Sequence, residues 1–271
     1  MRINARAAVA TLAVSSVLVA VPATANAKST VITMSGSTSV APLAAQLTKS
    51  YKKTKGGKRV KFKIAQGGSD VGISDVAKGA VTIGNSSRDP KTSDPGGLAF
   101  NKIARDAVCL ITSPGNKLGS LTQAQVQGIF SGRIRNWSEV PGATATGTIN
   151  LVTRTATSGT ADAFSKLFMG STKLSSVVAA KPSNGLVEQS VKSDPNAIGY
   201  VSLDFTGGVN PVSYNGVGCT LANAKSGKYE AVRNFWMVTR GVPQGAVKGF
   251  LRWVRKDKAA QKIISKHWVT L

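Results

Sequence analysis

The stretch TRTATSGTADAF, Thr153–Phe164, sets an arginine four residues ahead of Ser158-Gly159-Thr160, and an apolar helical pattern starts immediately afterwards. Upstream, TINLVTR reads as a strand that delivers Arg154 to its end. Downstream, TADAFSKLF places Ala161, Phe164, Leu167 and Phe168 on one helix face. A strand, a turn of small hydroxyl residues and a helix therefore follow in order. The first amides of a helix have no internal partner and lie at the positive end of its dipole, so such a turn suits an anion. Glycine lets the backbone come close, hydroxyls add rotatable donors, and the guanidinium offers a planar fork that matches a tetrahedral oxyanion.

The same grammar recurs along the chain. STVITM is a β-branched run ending at Met34, and SGSTSVAPLAAQLTKSY then places Val40, Leu43, Ala44, Leu47 and Tyr51 at helical spacing, with Ser39 positioned as a cap. RVKFKIA alternates Val60, Phe62 and Ile64 as a strand, QGGSD turns, and VGISDVAKG is a short helix. AVTIG is a buried strand before NSSRDP. DAVCLIT and AIGYVSL are further strands, SLTQAQVQGIF is a helix with Ser120 as its cap, and GAVKGFLRWVRKDKAAQKIISKHW is a basic amphipathic helical stretch. Strand-helix alternation of this kind predicts an α/β fold with parallel-rich sheets flanked by helices and a ligand at the strands' C-terminal ends. Four strand ends carry similar equipment: Ser37-Thr38-Ser39, Gly68-Ser69, Ser86-Ser87-Arg88, and Arg154 with Ser158-Gly159-Thr160. Alone, each is an ordinary helix cap or a surface ion pair. Four together, two of them beside an arginine, point to one anion site.

Composition narrows the class. Arg2 and Arg6 precede an apolar run from Ala7 to Val21 and the small residues Ala25 and Ala27, the pattern of a secretory signal peptide over residues 1–27 cleaved before Lys28. The run is too short to span a membrane, and no cysteine near the cleavage point offers a lipid anchor. The mature chain is thus expected to be exported and extracytoplasmic. With 42% hydrophobic and 17% charged residues it is not disordered. Thirty-five Lys and Arg against 12 Asp and Glu give a formal net charge of +23. Part of that charge is concentrated in Lys49–Lys63 and in Arg252–Lys266. Such runs serve as solvated faces or draw the protein to anionic wall polymers or headgroups. Nucleic acid is disfavoured, because aromatics are only 6% and the two inside the basic run, Tyr51 and Phe62, fall at apolar helix and strand positions and not in the arrangement stacking requires. Cys109 and Cys219 are the two cysteines, and in an oxidising compartment they form a candidate disulfide. His267 is the single histidine, so a Ser-His-Asp triad or a histidine metal site has little to build on.

The segments GSTSVAPL, GGSDVGISDVAKGAVTIGNSSR, LTQAQVQGIFSGRI followed by NWSEV, RTATSGTADAF and AIGYVSL together resemble, in order and spacing, the phosphate-binding proteins of ABC transporters. The resemblance spans nearly the whole mature chain, and its most specific element is the arginine, three-residue gap and Ser-Gly-Thr. It implies a two-lobed type II periplasmic-binding-protein fold that closes over one phosphate ion and passes it to a membrane permease. No cofactor, metal or catalysis is implied. Carried over by position, Thr38 and Ser39 bind through amides and hydroxyl, Ser69 donates from the second turn, Ser87 and Arg88 contribute from the third, and Arg154 carries the main charge. Ser158, Gly159 and Thr160 wrap the opposite oxygens. Where members of the family place an aspartate that accepts the proton of hydrogen phosphate, this chain has Ser87. Asp70, beside Ser69, is the candidate substitute acceptor.

On this reading residues 28–112 with 206–271 form one lobe, residues 113–205 form the other, and the disulfide braces the first. The protein acts as a monomer. Two other classes stay open: an exported phosphatase-like hydrolase using a serine from these turns, and a secreted or wall-associated basic protein that binds anionic polymers. The first needs a general base or metal ligands near the turns, and none is evident in the sequence.

Overall fold

The computed structural model describes residues 29–271, so the signal-peptide reading of residues 1–27 lies outside the described part. Strand β1 (Thr30–Gly36) leads into helix α1 (Ala41–Tyr51), β2 (Val60–Ile64) into α2 (Ser69–Ala77), and β3 (Ile83–Ser86) into β4 (Leu98–Thr112). Then come β5 (Ser120–Leu121), α3 (Gln123–Phe130), β6 (Asn150–Arg154), α4 (Gly159–Phe164), β7 (Ala179–Lys181) and α5 (Asn184–Ser193). Last are β8 (Ala197–Ser202), β9 (Asn210–Tyr214), α6 (Leu221–Ser226), β10 (Val232–Arg240), α7 (Gly245–Lys256) and α8 (Lys258–His267).

One strand order, β2-β1-β3-β10-β4-β8-β6-β7, runs through the molecule. The pairs β1/β2, β1/β3, β6/β7 and β6/β8 are parallel, as the strand-helix alternation requires, whereas β10 runs antiparallel to both β3 and β4. β4 belongs to both halves. Its residues up to Ala107 pair with β10, and Val108–Thr112 pair with β8, with β9 on the other side of Leu110–Thr112. Two lobes result, each with helices on its sheet. In the first, Ile32, Met34, Leu43, Leu47, Phe250 and Ile264 pack α1, α7 and α8 on one face, and Ile73, Val76 and Val238 seat α2 on the other. In the second, Phe130, Phe164, Phe168 and Tyr200 form one core, while Val152, Val187, Val191 and Val201 seat α5.

Residues 206–231, expected in the first lobe, pack in the second. Val212, Tyr214, Cys219, Ala224 and Tyr229 share the core of Phe130 and Trp137, because β9 pairs with the C-terminal half of β4 rather than with β10. The Cys109–Cys219 disulfide, with Cα atoms 5.6 Å apart, is therefore buried in the second lobe and not the first. The lobes change near Asp106 and Arg233.

Three local readings also shift. Ser39 does not cap α1: the cap position is Val40, which has no side-chain cap bond, and the Ser37 hydroxyl accepts from the amides of Ser39 and Val40 in the turn before the helix. Thr122, not Ser120, caps α3, in a reciprocal capping box with Gln125. The basic C-terminal stretch is two helices, broken at Asp257, whose side chain caps α8 through the amide of Ala259. Among the described residues no helix is long and apolar enough to cross a membrane.

Candidate functional site

The four hydroxyl turns converge. β1, β2 and β3 are adjacent and parallel, so the turns after them lie side by side at the C-terminal edge of the first sheet. The Ser87 amide donates to the Ser69 hydroxyl at 3.0 Å, and the Ser37 hydroxyl donates to that of Ser87 at 2.9 Å. The fourth turn comes from the other lobe. β6 ends at Arg154, and α4 starts with Ser158, whose hydroxyl accepts from the amides of Thr160 and Ala161 as an N-cap. Phe164 of α4 stacks on Tyr200 with ring centroids 3.9 Å apart, and the Tyr200 hydroxyl accepts from the Arg154 amide. The second lobe's core thus fixes both the helix start and the arginine.

Across the seam between the lobes, Arg154 Nη2 donates to Thr38 Oγ1 at 3.1 Å, and the hydroxyls of Ser39 and Thr160 are 3.0 Å apart. The amide of Asp70 donates to the Thr157 carbonyl at 3.1 Å, and Lys91 pairs with Asp162 at 2.7 Å. A Cβ on Gly159 would meet the Ser69 hydroxyl and would lie 2.7 Å from Ser87 Oγ and 2.9 Å from the Arg88 amide. Only glycine lets α4 begin this close to the first lobe's turns. Gly68, at φ +98° and with a would-be Cβ 2.7 Å from the Thr157 carbonyl, is the matching position in the first lobe.

Of the nine residues expected to hold the anion, Thr38, Ser39, Ser69, Ser87, Arg154, Ser158 and Thr160 are buried and lie with Gly159 along this seam. The Arg88 side chain is committed elsewhere. Its Nε donates to Asp70 at 2.6 Å, and its Nη atoms hold both oxygens of Asp94 and the Asp89 carbonyl. Burial works to lower its pKa, but the hydrogen bonds and charges of Asp94 and Asp70 outweigh it, and the net shift is upward. Asp70, expected as a bare proton acceptor, is thus a counter-ion of Arg88. Only the Arg88 amide comes close to Gly159.

Arg154 is the opposite case. It is 5% exposed and forms no carboxylate pair among the described residues. Its donors go to Thr38, Thr160 and the Lys181 and Pro182 carbonyls. Burial first, and then the charge of Arg233, pull its pKa down to about 10, so at neutral pH it is a buried, uncompensated cation. A charge in that state calls for an anion, because an unpaired buried ion costs several kcal/mol, on the order of the desolvation penalty itself.

Residues the sequence reading missed complete the seam. Asn184, first residue of α5, donates to Thr38 Oγ1 at 3.0 Å and to Ser39 Oγ at 2.9 Å. Arg233 on β10 donates to Ser39 Oγ at 2.8 Å and pairs with Asp106 on β4 at 2.9 Å. Burial lowers Arg233 and raises Asp106, each opposed by its partner's charge. Asn184 had a visible signal: AAK followed by PSNG and a helix repeats the strand, hydroxyl turn and helix grammar. Arg233 and Asp106 sit inside strands without any local mark. Among the described residues there is no group of three or more His, Cys, Asp or Glu that could hold a metal.

Two α/β lobes meeting over a buried polar seam define the class, a two-lobed periplasmic-binding-protein-like fold. The chain belongs to the PBP superfamily, whose domain model matches residues 21–258, and within it to the phosphate-binding protein PstS family. It is 30% identical over 222 residues to phosphate-binding protein PstS of Borreliella burgdorferi, covering 77% of this chain and 78% of that one. To phosphate-binding protein PstS of Bacillus subtilis it is 27% identical over 246 residues, covering 86% and 78%. A crystal structure from Clostridium perfringens, described as a putative phosphate ABC transporter substrate-binding protein with bound phosphate, superposes with a TM-score of 0.83. It is 31% identical, with 89% of this chain and 99% of that chain covered.

Proposed function

We propose that this chain is an exported, monomeric, non-enzymatic receptor that captures inorganic phosphate between its lobes and hands it to an ABC permease. The observation that carries the reading is Arg154, a buried guanidinium with no carboxylate partner among the described residues, ringed by hydroxyls at a seam built from four helix starts. The PstS relatives and the phosphate-bound neighbour from Clostridium perfringens support it. In this role Arg154 supplies the charge, Thr38, Ser158 and Thr160 supply hydroxyl donors, Ser39 orients Thr160, and Gly159 admits close approach. Ser69 and Ser87 face them from the first lobe. Arg88, held by Asp70 and Asp94, braces its turn, and its amide donates to the Ser86 hydroxyl. Closure exchanges the ion's water shell for these fixed donors.

Calorimetry with inorganic phosphate tests this. Wild type binds, and Arg154→Ala loses about 2–5 kcal/mol, the scale for breaking a desolvated charged contact. Affinity retained in Arg154→Ala would place the site elsewhere.

A second activity is proposed for the opposite pole. Lys52, Lys53, Lys55, Lys58, Arg59 and Lys61 are exposed and form no ion pair among the described residues, around the C-terminal end of α1 and the start of edge strand β2. That is the end of the first sheet away from the seam, so anionic wall polymer could bind there while the lobes open and close. Such binding is expected to weaken steeply as salt rises from 50 to 300 mM and to be unchanged in Arg154→Ala. Salt-independent retention on the polymer would argue against it.

A further inference from the structure

The seam hydroxyls are not free rotors. A hydroxyl has one proton and two acceptor lone pairs, whereas a guanidinium or an amide NH2 can only donate. Ser39 Oγ receives from Arg233 Nη2 at 2.8 Å and from Asn184 Nδ2 at 2.9 Å, which fills both lone pairs. Its proton must therefore go to Thr160 Oγ1, 3.0 Å away. Thr160 also receives from Arg154 Nη1 at 3.3 Å, so its own proton is left to point outward. Thr38 Oγ1 receives from Arg154 Nη2 at 3.1 Å and from the other Asn184 hydrogen at 3.0 Å, and it too is left as a donor. Ser158, filled by the amides of Thr160 and Ala161, is in the same position.

The first lobe's pair differs. The Ser69 and Ser87 hydroxyls lie 3.3 Å apart with either able to donate, so between them they can turn a lone pair or a proton toward a ligand. Neither nearby carboxylate is uncompensated: Asp70 pairs with Arg88, and Asp106 places Oδ2 on Arg233 and the Ser202 hydroxyl, while its buried Oδ1 has no hydrogen-bond partner among the described residues.

Asn184 and Arg233 are themselves locked. The Asn184 carbonyl oxygen accepts from the Ser202 amide at 3.2 Å, which excludes the flipped amide, and the Ser202 hydroxyl donates to Asp106 Oδ2 at 2.8 Å. Asp106, Arg233, Ser39, Asn184 and Ser202 close a buried ring. It links the strands where the lobes join to the turn before α1 in the first lobe and to α5 and β8 of the second.

We infer that this ring sets hydroxyl polarity: Asn184 and Arg233 are positioning residues that make Thr38, Ser39 and Thr160 obligate donors, so the site admits only one P–OH, at Ser69–Ser87. The inference rests on the phosphate reading and deepens it. A donor-only half accepts proton-free oxygens, so the dianion HPO4 2− is taken and H2PO4 −, with its second proton, meets a donor facing a donor. Sulfate, which brings no proton, is tolerated because Ser69 and Ser87 can rotate to donate.

The test is calorimetry with inorganic phosphate across its second ionisation, on wild type, Asn184→Ala and Arg233→Lys. The charged groups facing the ring are Arg154, Arg233 and Asp106, with Asp162 acting on Arg233, Asp204 acting on Asp106 and His267 paired to Asp204 at 3.4 Å. The same series is therefore run in a His267→Asn background. Wild-type affinity for total phosphate is expected to fall about tenfold per pH unit on the acid side, the slope of one excluded proton. Asn184→Ala, which frees a lone pair on Thr38 and on Ser39, lowers affinity for the dianion at least about tenfold and flattens that slope, and the ligand-free thermal midpoint drops because the Ser202 amide loses its acceptor. Arg233→Lys, still a pure donor, keeps the wild-type slope. An identical slope in wild type and Asn184→Ala overturns the inference, as does a wild type that binds both ionic forms equally. Arg233→Lys carries the test if Asn184→Ala does not fold, and a flattened slope there overturns it. No phosphate binding by wild type would instead overturn the receptor reading.

Discussion

At the scale of single residues, the seam is governed by which polar atoms already have partners. Arg88 and Arg154 look alike in the sequence, each beside a serine-rich turn, yet one has two carboxylates and the other none. Their pKa values move in opposite directions for that reason. Gly159 offers a clean test of whether the closed arrangement is the binding one. In Gly159→Ala the new methyl meets Ser69 and Ser87 only when the lobes are together. Phosphate affinity is expected to drop at least about tenfold, since an overpacked contact costs about 1–3 kcal/mol. The ligand-free melting temperature should hold or rise slightly, because alanine is the better helix former. Calorimetry and thermal denaturation of the same variant check both halves.

At the scale of elements, the strand, turn and helix units were legible because each is local. TINLVTR became β6, TADAF became the body of α4 with SKLF running on as a π-helical turn, and VKFKI became β2. β10 was not read, although it is central. In VRNFWMVTR, Arg233 is buried against Asp106, and the aromatic residues break a simple alternation. The disulfide belongs to this scale as well. It ties β4 to the segment ahead of α6, spanning a sequence separation of 110 residues inside the second lobe. Its reduction is expected to cost about 2–4 kcal/mol of stability. Phosphate affinity should change less than about threefold, because the bond does not cross the seam. Denaturant titrations with and without reductant, paired with calorimetry, measure both. A large loss of affinity at full folding would mean that the bond positions the site.

At the scale of the molecule, closure is held by contacts that exist only between lobes. The Lys91–Asp162 pair is the charged member. Burial acts to raise Asp162, but hydrogen bonds and charges from Lys91 and Lys166 outweigh it and hold the carboxyl below its ordinary 3.8. A carboxylate depressed in this way contributes stability that is complete above 3.8 and is lost as pH falls through the lower folded value. Phosphate release in stopped-flow is thus expected to quicken below about pH 4 in wild type. In Asp162→Asn it should be faster already at pH 6, by a fewfold, and lose that acid dependence. By itself the sequence determined the repeated strand, hydroxyl turn and helix units and the placing of Arg154 at a strand end, since these rest on hydrophobic period and turn chemistry within a few residues. Tertiary structure alone decided that Arg88 is neutralised, that Arg154 is not, that residues 206–231 join the second lobe, and that Asn184 and Arg233 direct the seam hydroxyls. The physical reason is that charge compensation and hydrogen-bond direction belong to pairs of groups. Those pairs lie up to 194 residues apart in the chain, as Ser39 and Arg233 do, so they exist only once the two lobes have met.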